Sequence, residues 1–456
     1  MTRSRALAVV LLVASAAQAR AQSTDPLGSN NGIYPSAQEW TGGYRVSNYA
    51  YPQSPVAARF SPGGGQGGLT PANAPLYVAA VKAYLAAVQL SGLVNDPANW
   101  SPGKAGWYDM PWMSEGDTLP DGRTDPNSGR EAILGSHTGQ ILEPSTFPSL
   151  PPKVKFQNHS VIYYNDVAAA MLGRLWKDPY SPDLGDTQFP EGSIVVKVEA
   201  ATLTPDQWPA VAGSTRYWVY RPTVAVIENP GITYKTPSMV PVYFAQMAVK
   251  VKDKLAAPET GWVYMAFAYD ANASGATVWD KAVPVGATWG NDPEAARTPS
   301  GRNPNAPLQQ TWVNPQAPAF ARDTLGWGGR LAGPMDVATR HNVLTVSGKR
   351  YQGDTTLAAS ACLSCHAAAQ FPFTENLYPS PNKVFPEDGD PFLLFDPGTA
   401  DWARWYQNRP GNVALSGSGR SGIVALDYDM LLTFALSAYQ REAGNTLLGQ
   451  PHIRIH

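Results

Sequence analysis

Alternation of apolar and polar positions is the clearest pattern in this chain, and it is concentrated between residues 189 and 270. Residues 194–198, 216–221, 242–251 and 262–269 carry β-branched and aromatic side chains at period two, with turn residues between them. That pattern predicts strands, and the short connections predict antiparallel pairing. A further short strand is predicted over 343–346.

Helical spacing occurs elsewhere. Asn73 and Pro75 give start signals for a helix through Leu76, Val81, Leu85, Val88 and Leu90, ending at Gly92. Asn165 or Asp166 opens a second, through Met171, Leu172 and Leu175 to Lys177. Asp354 can cap a third that runs to Ala369 and is stopped by Phe371 and Pro372. In the last, from Tyr428 to near Glu442, the residues Leu431, Leu432, Phe434, Ala435 and Tyr439 are spaced to bury one face.

Between these elements the chain is turn-rich. Residues 22–61 are polar and aromatic without sustained periodicity, and the glycine run 63–68 lacks the Gly-Lys-Ser/Thr of a phosphate loop. A Pro-rich segment, 144–152, is the candidate domain seam, and 289–334 reads as loop. The fold class expected is α+β: an antiparallel β-sheet domain with flanking helices, loop-rich, behind a large N-terminal extension. The expected divisions are 1–21, 22–150 and 151–456.

Composition narrows the class. With 41 Gly and 42 Pro but also 14 Trp and 21 Tyr, and 15% charged residues, the chain is folded and loop-rich instead of disordered. A net charge of −2 gives no general attraction to nucleic acid or anionic lipid. The basic start Met1 to Arg5, an apolar run over 6–17 and small residues at Ala17, Ala19 and Ala21 predict an export signal over 1–21. No other apolar run is of spanning length, so a periplasmic or secreted product with no membrane span after signal cleavage is expected.

The only cysteines, Cys362 and Cys365, stand in Cys362, Leu363, Ser364, Cys365, His366. This is the attachment spacing of haem c. One helical turn separates the thiols, so both can form thioethers along one macrocycle edge, and His366 can serve as axial iron ligand; axial ligation and pocket polarity then set the redox behaviour. Ala-rich flanks let a flat macrocycle lie close. A zinc site would need further nitrogen or sulfur ligands, and a thiol-disulfide catalyst would carry a lowered thiol pKa, usually after a strand.

The second axial position is open on sequence. Met430, the only Met after His366, is at a suitable distance along the chain but sits in an amphipathic run where core packing is the favoured explanation. His137, His159 and His341 are further candidates, while His452 and His456 lie in the terminal tail. Arg130 and Glu131, near His137, carry no recognisable catalytic signature.

The turn Phe189, Pro190, Glu191, Gly192 followed by a strand to Lys197, together with the haem motif and the nearby Phe373 and Thr374, resembles the small β-sheet c-type cytochromes of nitrogen metabolism. These are the hydroxylamine-oxidising cytochromes with a lysine cross-linked to haem, and the cytochromes c-prime-beta. The resemblance implies a five-coordinate haem with Lys197 near or bonded to the porphyrin. Strand alternation alone favours Lys197 as an outward-facing strand residue. Aromatic residues of 262–269, with Trp279 and Trp289, are candidates for a haem wall.

The expected function is that of an exported monohaem c-type cytochrome transferring one electron at a time, with a redox partner protein or a small-molecule donor or acceptor. The alternative is a haem oxidoreductase acting on a small molecule, such as a small nitrogen compound, at an open iron site. A third is a haem-based ligand-binding or sensor protein.

Overall fold

The computed structural model describes residues 25–29, 33–44, 47–60, 67–113, 129–222, 236–296, 307–336, 339–346, 349–358, 360–380, 394–396, 398–416 and 422–445. For 339–346 and 349–358 only the backbone is described. The export signal expected over 1–21, the glycine run 63–66, and His452 and His456 lie outside the described residues.

The fold is α+β and built on one eight-stranded antiparallel sheet. Its strands are β1 (His137–Leu142), β2 (Phe156–Tyr164), β3 (Ile194–Ala201), β4 (Arg216–Arg221), β5 (Ser238–Lys252), β6 (Trp262–Tyr269), β7 (Ala282–Thr288) and β8 (Thr311–Val313). They run in the order β1-β2-β3-β5-β6-β7-β8, and β4 pairs with one end of the long β5. The four strands expected from alternation between 194 and 269 are all present. The Pro-rich segment 144–152 joins β1 to β2, which pair with each other, so it is a connection inside the sheet and not a seam.

The central register places Tyr164, Val195, Lys250 and Tyr264 in one row across four strands, and Ile162, Lys197, Ala248 and Ala266 in the next. Residues one position away, such as Tyr163, Val196, Val251 and Val263, therefore point to the opposite face. That second face is apolar and packs under α1 (Ala74–Ala87), which contributes Tyr77, Val78, Val81 and Leu85. The helix expected to reach Gly92 is interrupted: Gln89 adopts a left-handed conformation (φ 64°), and a separate α2 (Leu90–Asn95) follows.

The first face packs against α3 (Asp166–Leu175), α4 (Cys362–His366) and α5 (Met430–Asn445). The Asn165 side chain accepts from Ala168 N at 3.0 Å, capping α3, and from Ile194 N at 3.0 Å, tying that cap to β3.

The helix expected from Asp354 to Ala369 is corrected. Residues 349–358 form β10 (Lys349–Ala358), paired with β9 (Thr339–Val346), and the motif helix is the five-residue α4 alone. Thr355 and Thr356 are β-branched, and cross-strand hydrogen bonding overrides the helical preference of the alanines that follow. Two short strands, β11 (Gln370–Phe371) and β12 (Val424–Ala425), pair with each other and bring the chain before α5 back beside the motif.

Candidate functional site

α4 is held from three directions. Cys362 N donates to Leu331 O at 2.9 Å, Ser364 Oγ accepts from Ala361 N at 2.9 Å, and Leu363 is buried in the core beneath α5. The two spacer residues thus anchor the turn from inside. Cys362 and Cys365, three apart and so on one side of the turn, line a cavity of about 400 Å3 together with His366. Cofactor pockets span roughly 300–1,000 Å3. Its floor is the sheet face described above, including Ile162, Tyr164, Lys197, Ala248, Lys250 and Tyr264, and α5 closes a side with Met430, Leu431 and Phe434.

No disulfide joins the two cysteines. Burial, reinforced by Asp336 and by Cys365, pushes the Cys362 thiol well above its usual range. A dithiol catalyst needs the opposite shift. Among the described residues no three His, Cys, Asp or Glu side chains are grouped to hold a metal ion, so a zinc site made of protein ligands lacks its donors there. The donor set of two thiols and one imidazole on a single cavity does fit an iron porphyrin held by thioethers and one axial histidine.

His366 Nδ1 lies 3.0 Å from the backbone carbonyl of Tyr428. A carbonyl can only accept, so Nδ1 carries the proton and Nε2 keeps its lone pair. Burial first, and then the charge of Lys250, pull the imidazole down to about 4, against the opposing effect of that carbonyl. His366 is therefore neutral near pH 7, the form that binds a metal.

The Tyr428 carbonyl is aimed by an unusual turn. Asp427 (φ 48°) and Tyr428 (φ 61°) both take left-handed conformations without being glycine, at a cost on the order of 1–3 kcal/mol each. The turn is overdetermined. Asp427 accepts from Lys252 Nζ at 2.6 Å, Trp262 Nε1 at 2.9 Å and Phe189 N at 2.8 Å. Tyr428 OH donates to Arg409 O at 2.7 Å, and Asp429 accepts from Lys250 Nζ at 2.8 Å and Tyr164 OH at 3.0 Å. Gly411 is required beside it, since a Cβ there would meet Asp427 Oδ1 at 1.7 Å.

A second polar group lies further along the same sheet face. Lys197 Nζ sits 2.5 Å from Asp336 Oδ1 and 2.8 Å from Glu199 Oε1. Gln246 donates to Asp336 and to Glu199, each at 2.5 Å, and Asn158 donates to Glu199 at 2.8 Å. Asp336 arrives on the loop that also holds Cys362 through Leu331. Gly333 permits this approach, because a Cβ there would meet Gln246 Oε1 at 2.5 Å. Burial and the neighbouring Asp336 raise Glu199, against Lys197, to about 8. Burial alone would raise Asp336, but the charge of Lys197 and the hydrogen bonds from Lys197, Glu199 and Gln246 hold it below its usual value. Lys197 stays an ammonium: burial opposes its charge, and the two carboxylates outweigh that and raise it.

The residues singled out by sequence divide clearly. Cys362, Cys365, His366, Lys197 and Met430 all line the one cavity. His366 is the only histidine among the described residues that line it. His159 pairs with Ala200, on the α1 side of the sheet, and is not in the cavity wall. His137 also lies outside the wall, with Gly139 and Gln140 reaching it instead. The His341 side chain is outside the described residues. Trp279 and Trp289 belong to the α1 core and do not line the cavity. Trp262 and Tyr264 are on the cavity side.

Sequence reasoning missed Asp336, Glu199, Gln246, Lys250, Asp427 and Asp429. The signal was present in part: Lys197 and Glu199, then Gln246, Lys250 and Lys252, put polar side chains on one face of otherwise apolar strands. No protein-family profile, curated protein or solved structure matches the chain. No helix among the described residues is long and apolar enough to cross a membrane.

Proposed function

We propose that this chain is an exported monohaem c-type cytochrome working by one-electron transfer, with haem bonded to Cys362 and Cys365 and His366 as axial ligand. The observation that carries this is the convergence of both thiols and a neutral, Nδ1-protonated imidazole on one cavity. Bound haem would supply a ferrous–ferric couple whose exchange partner is a redox protein or a small-molecule donor or acceptor. The chain's own part is to hold that group and set its surroundings. Tyr428 fixes the His366 tautomer, and Ile162, Ala248, Leu431 and Phe434 keep water from the cavity wall.

This reading uses Met430, which lines the cavity beside Leu431 and Phe434, as wall. The group of Lys197, Asp336 and Glu199 beside the cavity favours a second reading, a haem enzyme acting on a small molecule at an open iron site, as the resemblance to the hydroxylamine-oxidising cytochromes implies. Lys197, Asp336 and Glu199 would then hold and move a proton beside the cavity. Lys197 does so as an ammonium held by Asp336 and Glu199, which leaves no free amine for a porphyrin cross-link.

Protein produced in a host competent for cytochrome maturation should stay red after acid–acetone extraction. Its proteolytic haem peptide should contain Cys362 and Cys365 and exclude Lys197. Cys362→Ala with Cys365→Ala should abolish covalent attachment. A colourless parent of unmodified mass sinks the haem assignment. Rapid carbon monoxide binding by the ferrous form selects the open-iron reading, and a ferric spectrum altered by Met430→Ala returns Met430 as ligand.

A further inference from the structure

The Tyr428 carbonyl that receives the His366 proton receives two further donors. Tyr264 OH lies 3.0 Å from it and Lys250 Nζ 3.1 Å. A carbonyl oxygen offers two lone pairs, so three donors divide what two would take in full. Lys250 cannot drift away from this position. Its ammonium is also 2.8 Å from Asp429 Oδ2 and 4.6 Å from the centre of the Trp262 ring, and its side chain is almost wholly buried.

The strand register explains how these groups meet. Lys250 on β5 pairs directly with Tyr264 on β6, so both side chains leave the sheet side by side beneath α4. The Tyr264 ring stands 5.0 Å from the His366 ring. The Asp427–Tyr428 turn then delivers its carbonyl to all three donors, and Lys252 with Trp262 fixes that turn through Asp427. Nothing in the local sequence of residues 427–429 requires two successive left-handed residues. Their product is the placement of one carbonyl.

We propose that Lys250, assisted by Tyr264, is a positioning residue that sets the electron-donating strength of His366 and thereby raises the reduction potential of the iron; this inference rests on the haem reading above. A full hydrogen bond from Nδ1 makes an imidazole a stronger donor, which stabilises the ferric state. Lys250 takes up part of the accepting carbonyl and so weakens that bond. Its positive charge, on the cavity wall and 3.1 Å from the carbonyl that holds His366, opposes the ferric state as well. Asp429 offsets part of that charge, so removing Lys250 both frees the carbonyl and leaves a carboxylate unbalanced. Each effect moves the equilibrium toward ferric.

The test uses the full-length, haem-loaded protein and two readouts other than turnover: the reduction potential by spectroelectrochemistry and the ferrous iron–histidine stretch by resonance Raman. Lys250→Met should shift the ferrous–ferric equilibrium about tenfold toward ferric, a fall of about 59 mV for a one-electron couple, and raise the stretching frequency. Lys250→Arg should restore most of both. Tyr264→Phe leaves no buried charge unpaired and so keeps the question answerable if Lys250→Met fails to fold; it should raise the stretch by a smaller amount. A stretch and a potential unchanged from the parent in either folded variant overturn the inference. A parent that carries no covalent haem overturns the reading beneath it, whereas a red parent with unresponsive variants overturns this proposal alone.

Discussion

The two faces of β2, β3, β5 and β6 are made by the same strands and differ in nearly every other respect. On the α1 side, Tyr163, Val196, Val198, Met247, Val249, Val263 and Phe267 form a continuous apolar core. On the motif side, Lys197, Glu199, Gln246, Lys250 and Lys252 are buried or half-buried among apolar neighbours. Burying charge is costly unless each group finds a partner. Here the partners come from elsewhere in the chain: Asp336 for Lys197, Asp427 for Lys252 and Asp429 for Lys250. One face is specified by being dry, and the other by giving each buried lysine a carboxylate partner, which is how a protein builds a polar wall for a site inside its own core.

The strongest way to break that contrast is to put a carboxylate on the dry face. Val198→Asp should destabilise the protein by about 4 kcal/mol or more, read by urea unfolding, because no donor awaits it. Glu199, the next residue, is tolerated because Asn158, Gln246 and Lys197 all donate to it. An unfolding midpoint close to that of the parent would erase the distinction between the faces.

Next in size is the removal of one partner on the wet face. Asp427→Asn leaves Lys252 buried beside Trp262 without its counter-charge and should cost about 3 kcal/mol. Adding Lys252→Met should recover most of the loss, since replacing a whole buried pair with apolar groups is often near neutral. If the double variant is as unstable as the single one, the pair is not what stabilises the turn.

The smallest effect is in pH. Glu199 is raised in the folded protein from its ordinary 4.5 to about 8, so the folded state holds a proton that the unfolded state has released. Its contribution is fully present below about pH 4.5 and is lost as pH rises through 8. His159, lowered by burial from 6.5 to about 3, has the opposite sign: its contribution is present above 6.5 and is lost as pH falls through 3. The window from about 6.5 to 8 therefore isolates Glu199. Stability should decline there in the parent and stay flatter in Glu199→Gln, and equal slopes would remove Glu199 from the account.

Much of the frame was legible in advance. Val195 to Glu199 and Gln246 to Lys252 alternate strictly enough to announce strands, and Asn165 announces a helix start that the structure bears out by its cap. β2 escaped notice because Asn158, His159 and Ser160 break the apolar pattern with polar residues that are buried all the same. The Asp354 helix failed because an Ala-rich stretch reads as helix locally, while the pairing of Thr356 with His341 is a contact no local window contains.

By itself the sequence determined the period of each strand and put two thiols and an imidazole within one turn, because both depend on neighbours a few residues away. Only the tertiary structure decided which sheet face would meet that turn, and which carboxylates would neutralise it. Lys250 and Asp429 are 179 positions apart, and Lys197 and Asp336 are 139. Burial in a common low-dielectric space makes each such pair mutually necessary, and that necessity is a property of the folded surface they share.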